Sequence, residues 1–134
     1  MGEFYRILGN NSWMLQCTVT QICFDASSVR LSSWSLTSTL EIRITIPFVL
    51  VQANGSRSEI DPEISKQLAP VLSLLRETIV SLQIETSGAL KVLIGNGGQV
   101  VLEVPLHPEY EAFEIKGTGE FSDVQYLAGP GNSF

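Results

Sequence analysis

Positive charge runs short toward the C-terminal end of this sequence. From residue 101 onward Lys116 is the single base against six carboxylates, Glu103, Glu109, Glu111, Glu114, Glu120 and Asp123, whereas residues 1–100 hold eight carboxylates to seven bases. The formal net charge of −6 therefore sits almost wholly in the last quarter. Nucleic-acid binding needs a positive face and is excluded on this distribution, which instead suits a basic protein partner. Histidine and cysteine are equally scarce, and one histidine with two cysteines cannot supply a zinc set. Cys17 and Cys23 lie six residues apart in one expected strand, roughly 20 Å at about 3.3 Å per residue, far outside disulfide reach. No apolar run approaches the roughly 18 residues of a membrane span. The start, Met1-Gly2-Glu3-Phe4-Tyr5-Arg6, has neither the basic opening nor the apolar stretch of a secretory signal. The expected address is cytoplasmic, with no membrane contact.

What the chain does have is an internal echo. Val19-Thr20-Gln21-Ile22-Cys23-Phe24-Asp25-Ala26-Ser27 matches Ile79-Val80-Ser81-Leu82-Gln83-Ile84-Glu85-Thr86-Ser87 in residue class, position by position. Val29-Arg30-Leu31 then answers Leu90-Lys91-Val92, and Leu40-Glu41-Ile42-Arg43-Ile44 answers Val100-Val101-Leu102-Glu103-Val104. A spacing of about sixty residues with one strand-turn-strand pattern implies a duplicated supersecondary unit within a single domain, 1–134. The units span about 15–51 and 78–105. In both copies the period-two alternation slips by one residue, after Val19 and after Ile79. A β-bulge produces such a slip, because the extra residue returns the apolar set to one face. Gly95-Asn96-Gly97-Gly98 supplies positive-φ positions for a hairpin in the second unit, where the first has a polar turn around Thr37-Ser38-Thr39 without glycine. Pro47 interrupts the β-branched run from Leu40 to Val51 and is expected at an edge or a bulge.

Between the units a helical linker is expected over about 61–76. Asp61 caps it, Pro62 takes its first position, and Ile64, Leu68, Val71, Leu72 and Leu75 form an amphipathic face. Pro70 predicts a kink or two short helices meeting near Ala69. Beyond Pro105 and Pro108, residues 110–115 and 121–127 read as a last hairpin around Gly117-Thr118-Gly119. The fold class is thus mainly β (α+β): two pseudo-symmetric antiparallel meander units, a kinked helical crossover and a C-terminal hairpin.

No catalytic constellation is legible. His107 stands alone between Leu106 and Pro108, and no serine occupies a nucleophile elbow. The chemically richest stretch is Pro108-Glu109-Tyr110-Glu111-Ala112-Phe113-Glu114-Ile115, where aromatic and acidic groups alternate. Its bland reading is a solvated acidic edge strand. Its functional reading is a partner-binding surface, in which aromatics supply burial and carboxylates supply electrostatic choice. The candidate residues are Glu109, Tyr110, Glu111, Phe113 and Glu114, with Glu120 and Asp123 further on. In size, charge and the segment Tyr110-Glu111-Ala112-Phe113-Glu114, the chain resembles small acidic bacterial immunity proteins of contact-dependent or polymorphic toxin systems. The resemblance implies a non-enzymatic protein that neutralises a toxin by occluding it, without a cofactor, and carries over no residue roles. The alternative is a module binding a small molecule or nucleotide on a concave sheet face. A homodimer through an exposed edge strand also stays open.

Overall fold

The computed structural model describes residues 12–95, 99–107 and 111–128. Among the described residues ten strands lie in one antiparallel sheet: β1 Ser12–Phe24, β2 Val29–Ser35, β3 Ser38–Ile44, β4 Phe48–Val51, β5 Arg57–Ile60, β6 Thr78–Ile84, β7 Leu90–Ile94, β8 Val100–Val104, β9 Phe113–Thr118 and β10 Gln125–Ala128. Their order across the sheet is β10-β9-β3-β2-β1-β6-β7-β8-β4-β5. Read outward from the central β1–β6 pair, both wings are alike: a three-stranded meander, then a two-stranded hairpin. The hairpin comes from the other half of the chain in each case. β4–β5 follows β3 in sequence but pairs with β8, and β9–β10 follows β8 but pairs with β3. The C-terminal hairpin expected from the sequence is therefore the counterpart of β4–β5, not an appendage.

This exchange requires a coiled sheet. β3 and β4 stand six strand positions apart, about 29 Å across a flat sheet at about 4.8 Å per strand. The chain from Ile44 to Phe48 takes four steps and can reach only about 14 Å. The wings must curl toward one another. Burial agrees, because the alternating residues on one face of all ten strands are buried, from Tyr126 and Ala128 at one edge to Ile60 at the other. The two large rings Phe48 and Phe113 begin β4 and β9 and are both fully buried. Phe113 pairs with Ile44 of β3 and stacks on Tyr126 with centroids 5.6 Å apart. The buried face of the sheet is thus filled by packed side chains.

Both bulges appear where the alternation slips. The β1–β2 register shifts between Val19 and Gln21, and the β6–β7 register between Ile79 and Ser81. Pro47, in contrast, sits neither on an edge strand nor in a bulge; it lies in the link of residues 45–47 that crosses between wings. The expected amphipathic α-helix is two 3-10 helices, Ser65–Gln67 and Ala69–Leu74, meeting at Leu68 beside Pro70. With about three residues per turn, the buried side chains are Leu68, Val71 and Leu74, while Ile64, Leu72 and Leu75 are exposed. Asp61 builds a local turn instead of a helix cap, its carboxylate accepting the Glu63 N–H at 2.9 Å. The β2–β3 connection is Leu36-Thr37, one residue earlier than expected. Leu36 adopts φ +53°, a region that costs a residue with a Cβ on the order of 1 kcal/mol.

Candidate functional site

The residues singled out in the sequence do not form one surface. Glu109 and Tyr110 lie outside the described residues. Phe113 is core, not a contact residue: Ala112 and Phe113 are both buried, so the alternation breaks before β9 begins. From Phe113 to Gly119 the chain advances roughly 20 Å, which carries Glu111 and Glu120 to opposite ends of the sheet.

At one end the two crossing links meet. The Thr45 N–H donates to the Ala112 carbonyl at 3.0 Å and the Thr45 hydroxyl to the Glu111 carbonyl at 2.5 Å. An open depression of about 650 Å³ there is lined by Asp61, Glu63, His107 and Glu111 among others. Among the described residues no group of three or more His, Cys, Asp or Glu is placed to hold a metal ion.

On the outer face of β2, β3 and β9, a second depression of about 320 Å³ is lined by Asp25, Arg30, Glu41, Arg43, Glu114 and Lys116. Opposite charges neighbour one another: Arg30 bonds Glu41 at 3.1 Å and Lys116 bonds Glu114 at 3.5 Å. The Cys23 thiol and then Glu41 hold the Arg30 guanidinium in its charged form, raising its pKa. The Ser28 hydroxyl at 2.6 Å and the Ser27 N–H at 2.9 Å keep Asp25 below the usual carboxylate range. Three bases and three acids cancel here, so Glu114 is part of a neutral surface and not of an acidic one.

The opposite end of the sheet is where aromatic, aliphatic and acidic groups converge. Trp13, Met14 and Leu15 of β1 meet Glu120, Phe121, Asp123 and Val124 around a depression of about 550 Å³. Among the described residues its lining holds no base. Met14 is 81% exposed and Glu120 and Asp123 are exposed, while Phe121 and Val124 are buried beneath them. A short 3-10 helix, Gly119–Phe121, turns the chain back over β9. Gly117 permits this: a Cβ there would stand 2.0 Å from the Phe121 carbonyl oxygen. The Glu120 N–H donates to Ser38 Oγ at 2.8 Å, tying this turn to the β2–β3 hairpin. Trp34, 52% exposed, faces outward on that hairpin, and Leu36, 90% exposed, forms its tip. Sequence reasoning found Glu120 and Asp123 but missed Met14 beside them and the exposed Leu36. The signal available was the absence of glycine in the first unit's hairpin.

Together these elements form a coiled antiparallel β-sheet with a closed core and, at one end, an acidic and apolar depression without a base among the described residues. A family model described as a family of unknown function, DUF6188, matches residues 10–129. The chain belongs to that family. No curated protein and no solved structure matches it. No helix among the described residues is long and apolar enough to cross a membrane.

Proposed function

We propose that this protein is a non-enzymatic binding module for a basic protein, and that it acts as an immunity-type inhibitor occluding a toxin domain. The observation that carries the reading is the pairing of Glu120 and Asp123 with exposed Met14 in a depression whose lining, among the described residues, has no base. Apolar area gives such a contact its affinity, and the carboxylates give it orientation and rate by attracting a positive surface. The resemblance to acidic immunity proteins, and the concentration of the −6 charge beyond residue 100, support the same reading. Of the residues expected from the sequence the proposal keeps Glu120 and Asp123, and it adds the start of β1 in place of residues 109–114.

The test is to express the products of the adjacent genes and measure their binding to this protein, wild type and with Glu120→Lys and Asp123→Lys combined. Reversing two exposed charges at the contact is expected to weaken binding about tenfold or more at low salt, mainly through slower association. Unchanged affinity in that double variant, with the fold intact by circular dichroism, would remove this surface from the contact.

A further inference from the structure

We infer that the β2–β3 hairpin tip, residues 34–37, is a wedge that enters an apolar cleft on the partner protein, with Leu36 at its point. The inference rests on the binding function proposed above and adds how the partner is shaped. Leu36 is the first of two residues between Ser35 and Ser38, which pair directly. Its φ of +53° is a conformation that glycine, asparagine or aspartate enters without strain and leucine does not. At the corresponding hairpin of the second unit the sequence is Gly95-Asn96-Gly97-Gly98. A strained backbone residue is ordinarily offset by packing, yet Leu36 is 90% exposed and packs on little of this chain. Strain together with exposure of a large apolar group points outward, to a contact made with another molecule.

Three features specify that molecule. The tip is convex, so the receiving surface is concave. It is held before binding: Ser38 Oγ accepts the Glu120 N–H, and the Thr39 and Thr118 hydroxyls bond at 2.5 Å just behind it. A preformed wedge loses little ordering entropy on docking. Exposed Glu120 is bound to the hairpin through Ser38 and lines, with exposed Asp123, the depression beyond it; these carboxylates repel an anionic lipid surface and fit a cleft rimmed by lysine or arginine. The occupant is therefore a basic protein with an apolar cleft.

The experiment uses the full chain with a diazirine analogue of leucine at position 36 or, as a control, at exposed Leu72, irradiated with the partner. It is accompanied by affinity and thermal-midpoint measurements on Leu36→Asn and Leu36→Gly. The expected result is a crosslink from position 36 into an apolar segment bordered by basic residues, and none from 72. Both variants should keep or raise the thermal midpoint while weakening binding at least tenfold. Wild-type affinity in both variants, with binding still lost in the Glu120→Lys/Asp123→Lys protein, overturns the wedge and leaves the proposed surface standing. Wild-type affinity in all of these variants, or no retained partner, overturns both. A tryptophan emission shift with phosphatidylcholine/phosphatidylglycerol vesicles that Leu36→Asn abolishes would make the tip a membrane element. A dimer by light scattering that Leu36→Asn dissolves would make the cleft one on a second copy. Either result overturns the inference.

Discussion

Replacing Gly117 with alanine tests how the acidic end of the molecule is held. Gly117 lies on β9 opposite Leu40 and faces the core. A methyl group built there would stand 2.0 Å from the Phe121 carbonyl oxygen and 2.7 Å from both the carbonyl carbon and Cβ of Phe121. These obstacles are mostly main chain, so no side-chain rotation relieves them. The turn must retreat by at least about 1 Å, since real Cβ contacts do not fall below 3.0 Å. The same carbonyl oxygen accepts the Val124 N–H at 2.8 Å, and one residue earlier Glu120 donates to Ser38 Oγ at 2.8 Å. Overpacking costs about 1–3 kcal/mol and a lost hydrogen bond about 1 kcal/mol more. The sum expected for Gly117→Ala is about 3 kcal/mol, a fall in thermal midpoint of roughly 10 °C for a domain of this size.

Gly55→Ala provides the comparison. Gly55 has φ +89° with nothing within 4 Å of its would-be Cβ, so alanine there meets conformational strain alone, about 1 kcal/mol. Chemical denaturation of the two variants separates steric from conformational cost. A Gly117→Ala protein no less stable than Gly55→Ala would refute the seating of the turn on β9. Because that turn carries Glu120 and Asp123, Gly117→Ala should also weaken partner binding without touching either carboxylate.

Other expectations follow from the core. Among the described residues the Ser33 hydroxyl is buried without a hydrogen-bond partner, and the nearby Cys17 thiol is too weak to satisfy it. Ser33→Ala should therefore raise stability by about 1 kcal/mol, and a loss of that size in urea denaturation would show the hydroxyl to be satisfied. Burial pushes the Cys17 thiol up to about 11, against a smaller opposing effect of Ser33. At pH 8 a thiol reagent should label Cys23 and leave Cys17 silent until the chain unfolds. The unfolded chain releases the Cys17 proton from about pH 9 and the folded one only near 11, so the unfolded state binds fewer protons between them. Stability should fall there by up to about 1.4 kcal/mol per pH unit, and Cys17→Ala should flatten that slope in denaturation curves taken at pH 8 and 10.5. Phe48→Ala and Phe113→Ala, at corresponding places in the two wings, should each cost about 3–5 kcal/mol, whereas a surface role for Phe113 would leave its variant near wild-type stability.

What the sequence made legible was local. A bulge changes the phase of alternation over four residues, and that trace is readable at Val19 and at Ile79 without any knowledge of partners. Pro70 likewise announces a break within one turn. The exchange of hairpins leaves no such trace, because β3–β9 and β4–β8 pairing depends on residues about fifty to eighty apart and on the coiling of the whole sheet. The 3-10 linker was misread because Leu68 and Val71 satisfy both a 3.6 and a 3.0 period, and only Leu74 distinguishes them. Phe113 was misread because strict alternation groups it with exposed Glu111, and the break at Ala112 that separates them is not marked in the sequence.

The two wings agree inside and differ outside. Phe48 and Phe113, and Ile44 and Val104, occupy corresponding core places, so a change in one wing's interior disturbs packing the other also needs. The outer faces carry no such constraint: where β3 and β9 pair Glu41 with Lys116, β8 and β4 pair Val101 with Val51. The hairpin tips differ in the same way, leucine and threonine in one wing against a glycine-rich turn in the other. A surface that departs from the repeat cannot be required by the packing of the repeat. Leu36 departs from it and also bears a strained backbone, so stability explains neither its side chain nor its conformation. The contact inferred above with another molecule would account for both.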